Sequence, residues 1–167
     1  MLNKVVKTEY PLIDSDPHAS RVVRYMRPSD YALWAGSTAA FPAALVAWEM
    51  ADPSKIRLKT SLKLGGFLGF TAGFLLAYQR STYRFWGWSE NKREEELDLA
   101  ELRERAQDGK SLYGNSPQPA WVQQAAASNS TWSQLNFGVL PMFNFVNHTH
   151  HGSDPAKYGV KKEEESS

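Results

Sequence analysis

The sequence predicts an all-α membrane protein built around a two-helix transmembrane hairpin. Two uncharged runs, residues 31–48 and 64–79, approach the minimum of about 17 residues that a helix needs to cross a bilayer. Small residues recur every four positions in both runs, and Trp and Tyr side chains flank them, as is usual at membrane–water interfaces. Neither run has the polar face that a soluble helix needs, so a buried hairpin in a soluble α-protein is the weaker alternative.

Residues 1–28 form a predicted polar and basic N-terminal segment. Within it, residues 14–17 predict a turn, residues 19–27 predict a short basic helix lying at the surface, and the isolated His18 has a structural role. The sequence Pro28-Ser29-Asp30 ends the segment and offers Ser29 or Asp30 as the N-cap of the first span.

The predicted hairpin covers residues 29–88, with spans at about 31–50 and 61–83. The second span carries a glycine stripe: Gly65, Gly69 and Gly73. Each glycine costs about 1 kcal/mol relative to alanine in a soluble helix, whereas in a bilayer glycine lets a second helix backbone come close. The first span carries an alanine stripe: Ala35, Ala39 and Ala43. We expect both stripes to pack the hairpin together or against helices of a partner.

The turn sequence Asp52-Pro53-Ser54 predicts an antiparallel pair of spans with both termini on one side of the membrane. Basic residues flank both ends of the hairpin, so the positive-inside rule does not select an orientation. Arg80 and Arg84 share a helix face and, with Lys63, are candidates for contacting an anionic lipid head group such as that of cardiolipin. Generic snorkelling of basic side chains is the alternative explanation.

Residues 89–109 predict a charged soluble helix, with Ser89 or Asn91 as its cap and Gly109 as its stop. Its few apolar positions predict a solvated helix with one narrow docking stripe: Leu97, Leu99, Leu102 and Ala106. We expect the acidic start of the helix, residues 94–96, to face water.

Residues 110–167 predict an extended, mostly irregular C-terminal strap with a short helix at about 120–128. This segment is rich in Pro, Asn, Gln, Ser and Gly, yet it contains many large aromatic rings, which are typical anchors in partner pockets. The predicted partner anchors are Trp121, Trp132, Phe143 and Phe145. A small independent C-terminal domain is the alternative.

The sequence predicts no catalytic site, no cofactor site and no metal site. The chain has no cysteine, which excludes disulfides, thiolate iron–sulfur ligation and cysteine nucleophiles. A net charge of +1 gives no nucleic-acid footprint. The ligand-like cluster His148, His150 and His151 lacks carboxylates at zinc-site spacing, so surface hydrogen bonding or a partner contact is the favoured explanation. Bound phospholipid is the one expected small molecule.

Two adjoining N-terminal segments carry a family resemblance. Residues 10–18 read YPLIDSDPH, and residues 21–31 read RVVRYMRPSDY just before the hairpin. These segments with the hairpin resemble, over residues 10–88, the NUXM-type (21 kDa) accessory subunit of fungal respiratory complex I. The C-terminal part of the chain resembles the separate C-terminal region of that family more loosely.

The resemblance implies a non-catalytic accessory subunit of the membrane arm of mitochondrial NADH:ubiquinone oxidoreductase. Such a subunit lies in the inner membrane, contacts membrane-arm subunits and lipid, takes no substrate or nucleic acid, and stabilises the complex or assists its assembly. The alternatives are a component of a mitochondrial inner-membrane protein-import channel and, more weakly, a small membrane metalloprotein that uses His148, His150 and His151.

Overall fold

A computed structural model describes residues 7–52, 58–131 and 143–160 of the chain. These residues form five α-helices and one short 3-10 helix, with no β-strand among them. The α-helices are α1 (Ala19–Arg24), α2 (Pro28–Ala51), α3 (Leu58–Phe85), α4 (Lys92–Gln107) and α5 (Ala120–Ser130), and the 3-10 helix is Pro155–Tyr158. The chain divides into a hairpin unit, Tyr25–Ser81, and a terminal unit, which comprises the described parts of Met1–Arg24 and Thr82–Ser167.

Helix α2 starts before either predicted cap, Ser29 or Asp30. Its N-cap is Arg27 and Pro28 is its first residue, where the missing N–H and the fixed φ of proline are favourable. Asp30 acts from the third helical position, because its carboxylate accepts a hydrogen bond from the Arg27 N–H at 2.8 Å. The predicted cap residue therefore helps to start the helix, but from inside it.

The glycine stripe of α3 faces α2 at very short range. A Cβ atom added at Gly65 would lie 2.6 Å from Leu45 Cδ1, and one added at Gly73 would lie 2.8 Å from the carbonyl oxygen of Trp34. A Cβ added at Gly69 would lie 2.8 Å from the carbonyl oxygen of Ser37. Because later residues of α3 meet earlier residues of α2, the two helices are antiparallel. At Gly69 and Gly73 the added atom would meet backbone oxygens, so only glycine permits the approach there.

Two further features belong to this contact between α2 and α3, which we call the glycine seam after Gly65, Gly69 and Gly73. Pro42 lacks the N–H that would bond to the carbonyl oxygen of Thr38. Gly69 of α3 lies beside that carbonyl, since a Cβ atom added at Gly69 would be 3.1 Å from its oxygen. Higher along the seam, the Trp34 indole N–H donates to the Phe70 carbonyl oxygen at 2.9 Å, and its ring contacts the rings of Phe70 and Phe74.

The alanine stripe of α2 does not form the hairpin contact. Ala35, Ala39 and Ala43 are exposed, since the side of α2 that meets α3 is the one bearing Trp34, Phe41 and Leu45. The expectation that the alanine stripe packs the hairpin together is therefore wrong. The second possibility, a contact between the alanine stripe and a helix of a partner, stays a prediction.

Both long helices expose large apolar side chains. On α2, Trp48 is 70% exposed, and on α3, Phe67 is 66% exposed. Within the described parts of the chain, α3 is the one helix that is long and apolar enough by composition to cross a membrane. The predicted turn between the two helices involves Pro53 and Ser54, which lie outside the described residues.

In the terminal unit, the N-terminal segment satisfies the end of α3. The N–H groups of Ile13 and Asp14 donate to the Phe85 carbonyl oxygen, at 3.0 and 3.2 Å. The Asn91 side-chain amide donates to the carbonyl oxygens of Arg84 and Pro11, at 2.8 and 2.7 Å. These bonds supply partners for carbonyls that a helix C-terminus leaves without intrahelical donors.

Helix α1 is shorter and more buried than the sequence predicts. It ends at Arg24 rather than at Arg27, and Ala19, Arg21 and Val22 are buried. The expectation of a basic helix lying at the surface is therefore wrong, because one of its basic side chains points into the molecule. His18 precedes the helix, and its ring Nδ1 lies 2.7 Å from the Ser20 hydroxyl, which agrees with a structural role.

Helix α4, Lys92–Gln107, lies within the predicted range of 89–109 but buries a different face. It follows Asn91 and stops before Gly109, which has a φ of 66°. Of the predicted apolar stripe Leu102 is buried, whereas Leu97 is 42% exposed. The buried face is instead largely acidic, since Glu94 and Asp98 are fully buried, so the expectation that residues 94–96 face water is wrong for Glu94.

Candidate functional site: a buried polar cluster

A network of buried polar side chains lies in the terminal unit, and it joins residues that are more than 100 positions apart in the chain. We define this polar cluster by its hydrogen-bonded members: Asp14, Asp16, Arg21, Asp98, Ser130, His148, His151 and Tyr158. They come from the N-terminal segment, α1, α4, α5 and the segment that begins at residue 143. All are buried.

Arg21 is the cation at one end of the cluster. Its Nη1 donates to Asp14 Oδ2 at 3.2 Å, and its Nη2 donates to Asp98 Oδ1 at 2.5 Å. The Tyr158 hydroxyl donates to the other oxygen of Asp98 at 2.7 Å. Helix α1 places this guanidinium inside the unit because Arg21 and the buried Val22 lie in its first turn, so the charge is held between two carboxylates.

His151 is the second cation, and its hydrogen bonds define its charge. Its Nδ1 lies 2.8 Å from Asp14 Oδ1, and its Nε2 lies 2.8 Å from the carbonyl oxygen of His148. A carbonyl oxygen accepts only, as does an ionised carboxylate, so both ring nitrogens must carry protons. The geometry therefore assigns an imidazolium to His151. The Tyr113 ring stacks on it with centroids 3.6 Å apart.

His148 has a different proton arrangement. Its Nδ1 accepts from the backbone N–H of His150 at 3.1 Å, so its proton lies on Nε2, which donates to Asp16 Oδ2 at 2.7 Å and also lies 3.1 Å from the side-chain nitrogen of Asn144. The Ser130 hydroxyl donates to the same carboxylate oxygen. Asp16 thereby connects α5 to the C-terminal segment. The backbone N–H of Asp16 donates in turn to Asp14 Oδ1, which closes the turn predicted at residues 14–17.

The pKa shifts follow from burial and pairing. Burial alone raises the pKa of Asp14, but the positive charges of His151 and Arg21 outweigh it, so that this pKa lies below its usual value. Burial lowers the pKa of His151, yet Asp14 raises it above the usual value overall. Burial dominates at Asp16 and Asp98 and raises the pKa of both carboxyl groups. It also raises the pKa of Tyr113 to about 12.

The arrangement stabilises structure rather than presenting a reactive group. Both ring nitrogens of His148 and of His151 are engaged in hydrogen bonds, and both side chains are buried. A general base or a metal ligand needs an available nitrogen lone pair. Within residues 7–52, 58–131 and 143–160, no group of three His, Asp or Glu side chains has the geometry to hold a metal ion.

The histidine cluster is only partly where the sequence predicts it. His150 is exposed, whereas His148 and His151 are buried against aspartates, so the expectation of surface hydrogen bonding is wrong for those two. The aspartates that partner them, Asp14 and Asp16, were predicted only as part of a turn. The one sequence signal for the pairing is that two aspartates lie close together in one segment and two histidines lie close together in the other.

The predicted lipid and partner residues occupy different environments. Arg84 is buried, with its Nε 3.4 Å from Glu94 Oε1, so a lipid head group would have to displace a carboxylate to reach it. Arg80 is half-exposed, with its Nε 3.6 Å from the buried carboxylate of Asp30. Lys63 is exposed. Lipid contact at Arg80 and Lys63 stays a prediction.

Among the predicted anchors, Trp121 and Phe145 are the most exposed, at 73% and 72%. Phe143 is half-buried and stacks on Phe145 with centroids 5.9 Å apart. Trp132 lies outside the described residues.

Two long helices of this chain expose apolar side chains, and its buried polar residues form hydrogen bonds with one another. This combination is typical of a subunit of a larger membrane assembly. Comparison with known families identifies the assembly. Residues 7–90 match the family of the 21 kDa subunit of NADH-ubiquinone oxidoreductase, complex I, and residues 99–167 match the C-terminal region of the same 21 kDa subunit. The chain belongs to this family of respiratory complex I subunits.

A relative from Neurospora crassa supports the assignment over nearly the whole chain. It is the NADH-ubiquinone oxidoreductase 20.9 kDa subunit, 46% identical over 167 aligned residues, which cover 98% of this chain and 88% of the relative. The resemblance seen in residues 10–88 is thereby confirmed. The function implied by the resemblance, that of an accessory subunit of NADH:ubiquinone oxidoreductase in the respiratory chain, is also confirmed. It is favoured over the alternative of an import-channel component.

Proposed function

We propose that this chain is a non-catalytic subunit that crosses the mitochondrial inner membrane twice and stabilises the membrane arm of complex I. The observation that carries the proposal is the hairpin unit, whose two helices pack through glycine and expose large apolar side chains outward. In water such surfaces are unfavourable by about 25 cal/mol for each Å² of apolar area. Lipid tails or the helices of a membrane-arm subunit remove that cost.

The lengths of the two helices support two crossings. Helix α2 has 24 residues and α3 has 28, which at 1.5 Å per residue corresponds to about 36 and 42 Å. The hydrocarbon core of a bilayer is about 30 Å thick. The ionisable side chains of α2, Asp30 and Glu49, lie near its two ends, where they reach the interface.

The antiparallel hairpin supports a common side of the membrane for both termini. Helix α2 begins and α3 ends at the same end of the pair, since Gly73 lies beside Trp34 whereas Gly65 lies beside Leu45. The described residues of the N-terminal segment and those after α3 also share the terminal unit. The polar cluster gives that unit a fixed shape without offering a reactive group, which suits a structural role.

Contacts with other subunits would use exposed apolar features of each unit. In the hairpin unit, the exposed alanine stripe of Ala35, Ala39 and Ala43 suits a closely packed partner helix. In the terminal unit, the exposed rings of Trp121 and Phe145 suit pockets on a neighbouring subunit. Arg80, half-exposed at the end of α3 nearer the termini, is the better placed of the candidate residues for an anionic phospholipid such as cardiolipin.

Single-cysteine labelling tests the topology, because the natural chain has no cysteine. We would place one cysteine in each of three variants, Glu9→Cys, Lys59→Cys and Asn129→Cys, all at exposed positions. The variants are treated with a membrane-impermeant maleimide in inner-membrane vesicles of either orientation. Positions 9 and 129 should react from one side, and position 59 from the other.

Two controls make the labelling decisive. Each variant must co-migrate with complex I on a native gel, so that the label reports on the assembled subunit. Permeabilised vesicles must label at all three positions, so that lack of reaction reflects the membrane. Reaction of positions 9 and 59 from the same side, or release of the chain by alkaline carbonate, would contradict a double crossing.

A further inference from the structure

The segment that carries His148 and His151 is tied to the N-terminal segment by charged hydrogen bonds. His151 Nδ1 lies 2.8 Å from Asp14 Oδ1, and His148 Nε2 lies 2.7 Å from Asp16 Oδ2. Two backbone bonds run alongside, from the Ser15 N–H to the His151 carbonyl oxygen and from the Ala19 N–H to the Asn144 carbonyl oxygen, both at 2.8 Å. The attachment is therefore short and largely polar.

We propose that His151 is a pH-sensitive latch that holds residues 143–152 against the N-terminal segment while its ring is protonated and releases them as the ring loses a proton. The reason is the pair of acceptors around the ring. A neutral imidazole has one N–H, so deprotonation leaves either the Asp14 carboxylate or the His148 carbonyl oxygen facing a lone pair. In a buried site such a mismatch is unfavourable.

Other charged and titratable groups face His151 and fix the direction of the effect. Four of them face the ring from the N-terminal segment, the loop after α4 and its own segment: Asp14, Asp16, Tyr113 and His148. Arg21 of α1 and Asp98 of α4 are connected to the ring through Asp14, because Arg21 bridges the carboxylates of Asp14 and Asp98. The nearest charge is the Asp14 carboxylate, which raises the pKa of His151 above the usual 6.5 despite burial. Protonation of His151 therefore stabilises the folded state below pH 6.5, and this contribution is lost as the pH rises through the folded-state value.

His148 provides the internal contrast. Its Nδ1 accepts from the His150 N–H, so a single proton on Nε2 is enough for its bond to Asp16. It holds the same segment to Asp16 without needing a second proton. Of these two buried histidines, His151 is thus the one whose hydrogen bonds require the charged form.

The test is hydrogen–deuterium exchange of the full chain in detergent between pH 6 and pH 9. Rates for residues 143–152 are divided by those of an unstructured reference peptide, which removes the intrinsic pH dependence. A single linked proton changes the opening equilibrium by up to tenfold per pH unit. We expect the natural chain and the control His150→Gln, which alters the exposed neighbour, to lose protection at up to that slope above pH 6.5.

The side chain in His151→Gln still donates hydrogen bonds but does not titrate. The slope of the opening equilibrium against pH should therefore be smaller in this variant by the contribution of one proton. Equal slopes in His151→Gln and the natural chain would overturn the proposal, as would protection in the natural chain that does not change with pH. A second measurement covers the case in which His151→Gln does not fold. The chain has four histidines, so their ¹⁵N ring signals can be resolved and assigned with His18→Gln and His150→Gln.

At pH 6.5 the natural chain should show a buried histidine with both ring nitrogens protonated. Two neutral buried rings at that pH would overturn the latch even if His151→Gln does not fold.

Discussion

Substitution of alanine for Gly69 should weaken the hairpin, whereas the same substitution at Gly66 should not. The two residues lie three positions apart on α3 but face different surroundings. A Cβ atom at Gly69 would lie 2.8 Å from the Ser37 carbonyl oxygen and 3.1 Å from the Thr38 carbonyl oxygen, whereas one at Gly66 would meet nothing within 4 Å. Gly66→Ala is therefore a matched control on the same helix.

The magnitude follows from the distance that is missing. Ordinary van der Waals contact begins at 3.4 Å. In Gly69→Ala the new Cβ atom and the Ser37 carbonyl oxygen would therefore have to move apart by about 0.6 Å. A gap of about 0.5–1 Å forfeits about a quarter to a half of the dispersion attraction of each contact, and overpacking typically costs about 1–3 kcal/mol. Both variants gain the same helix propensity of about 1 kcal/mol. The difference between them, about 1–3 kcal/mol, is therefore the packing effect alone.

The assay has two readouts. Thermal unfolding of the full chain in detergent, followed by circular dichroism, gives the difference in stability between Gly66→Ala and Gly69→Ala. A native gel gives the fraction of each variant incorporated into complex I. The pair Gly66→Leu and Gly69→Leu should enlarge both differences, because a longer side chain forces the helices further apart. Equal stability and equal incorporation within either pair would refute the role assigned to the glycine seam.

Three further outcomes are expected. Asp14→Asn should destabilise the full chain by about 3–5 kcal/mol in thermal unfolding, because it leaves buried cations without their carboxylate, whereas the exposed control Asp108→Asn should change stability by less than about 1 kcal/mol. A result for Asp14→Asn no larger than that of the control would contradict this. Since the pKa of Tyr113 is raised from 10.0 to about 12, its neutral form is favoured in the folded state, and this group alone should lower stability by about 2 kcal/mol as the pH rises from 10 to 12. In alkaline denaturation Tyr113→Phe should reduce the fall by that amount, whereas Tyr158, whose pKa is also raised by burial, continues to contribute. Trp121→Ser and Phe145→Ser should leave the melting temperature of the isolated chain unchanged but reduce incorporation into the complex on a native gel, and normal incorporation would argue against an anchoring role.

The helices could be predicted from the sequence because their signals are local. The charge-free runs, the glycine spacing and the stop at Gly109 each depend on neighbours within a few positions, and α3, α4 and α5 follow them closely. The glycine stripe also predicts a close helix contact. Which face of α2 supplies that contact depends on Trp34 and Phe41, whose large rings resemble membrane-facing residues in the sequence, so the alanine stripe was the more obvious choice.

The polar cluster could not be predicted, because its energetics are non-local. Asp98 has no distinguishing neighbour in the highly charged α4, and it is buried only because Arg21 and Tyr158 come from distant parts of the chain. The rule that apolar residues mark the inner face of a helix fails on α4, where Glu94, Asp98 and Leu102 lie four residues apart on one face and all are buried. A carboxylate pattern at helical spacing was the available sign, but solvated helices show it too.

The terminal unit and the hairpin unit are held together by different kinds of interaction. Among its described residues, the terminal unit buries more polar and charged side chains than apolar ones, so its apolar core is small. Buried ion pairs add little net stability over apolar residues of the same shape, because desolvation offsets the attraction between the charges. They discriminate sharply between arrangements, however, since a mispaired carboxylate or guanidinium in the interior is strongly unfavourable. In this unit, burial of Asp14 and Asp98 is tolerable only when Arg21 and His151 arrive from other segments. The polar cluster therefore specifies which segments meet, whereas in the hairpin unit the absence of a Cβ atom at Gly69 and Gly73 specifies how closely the helices meet.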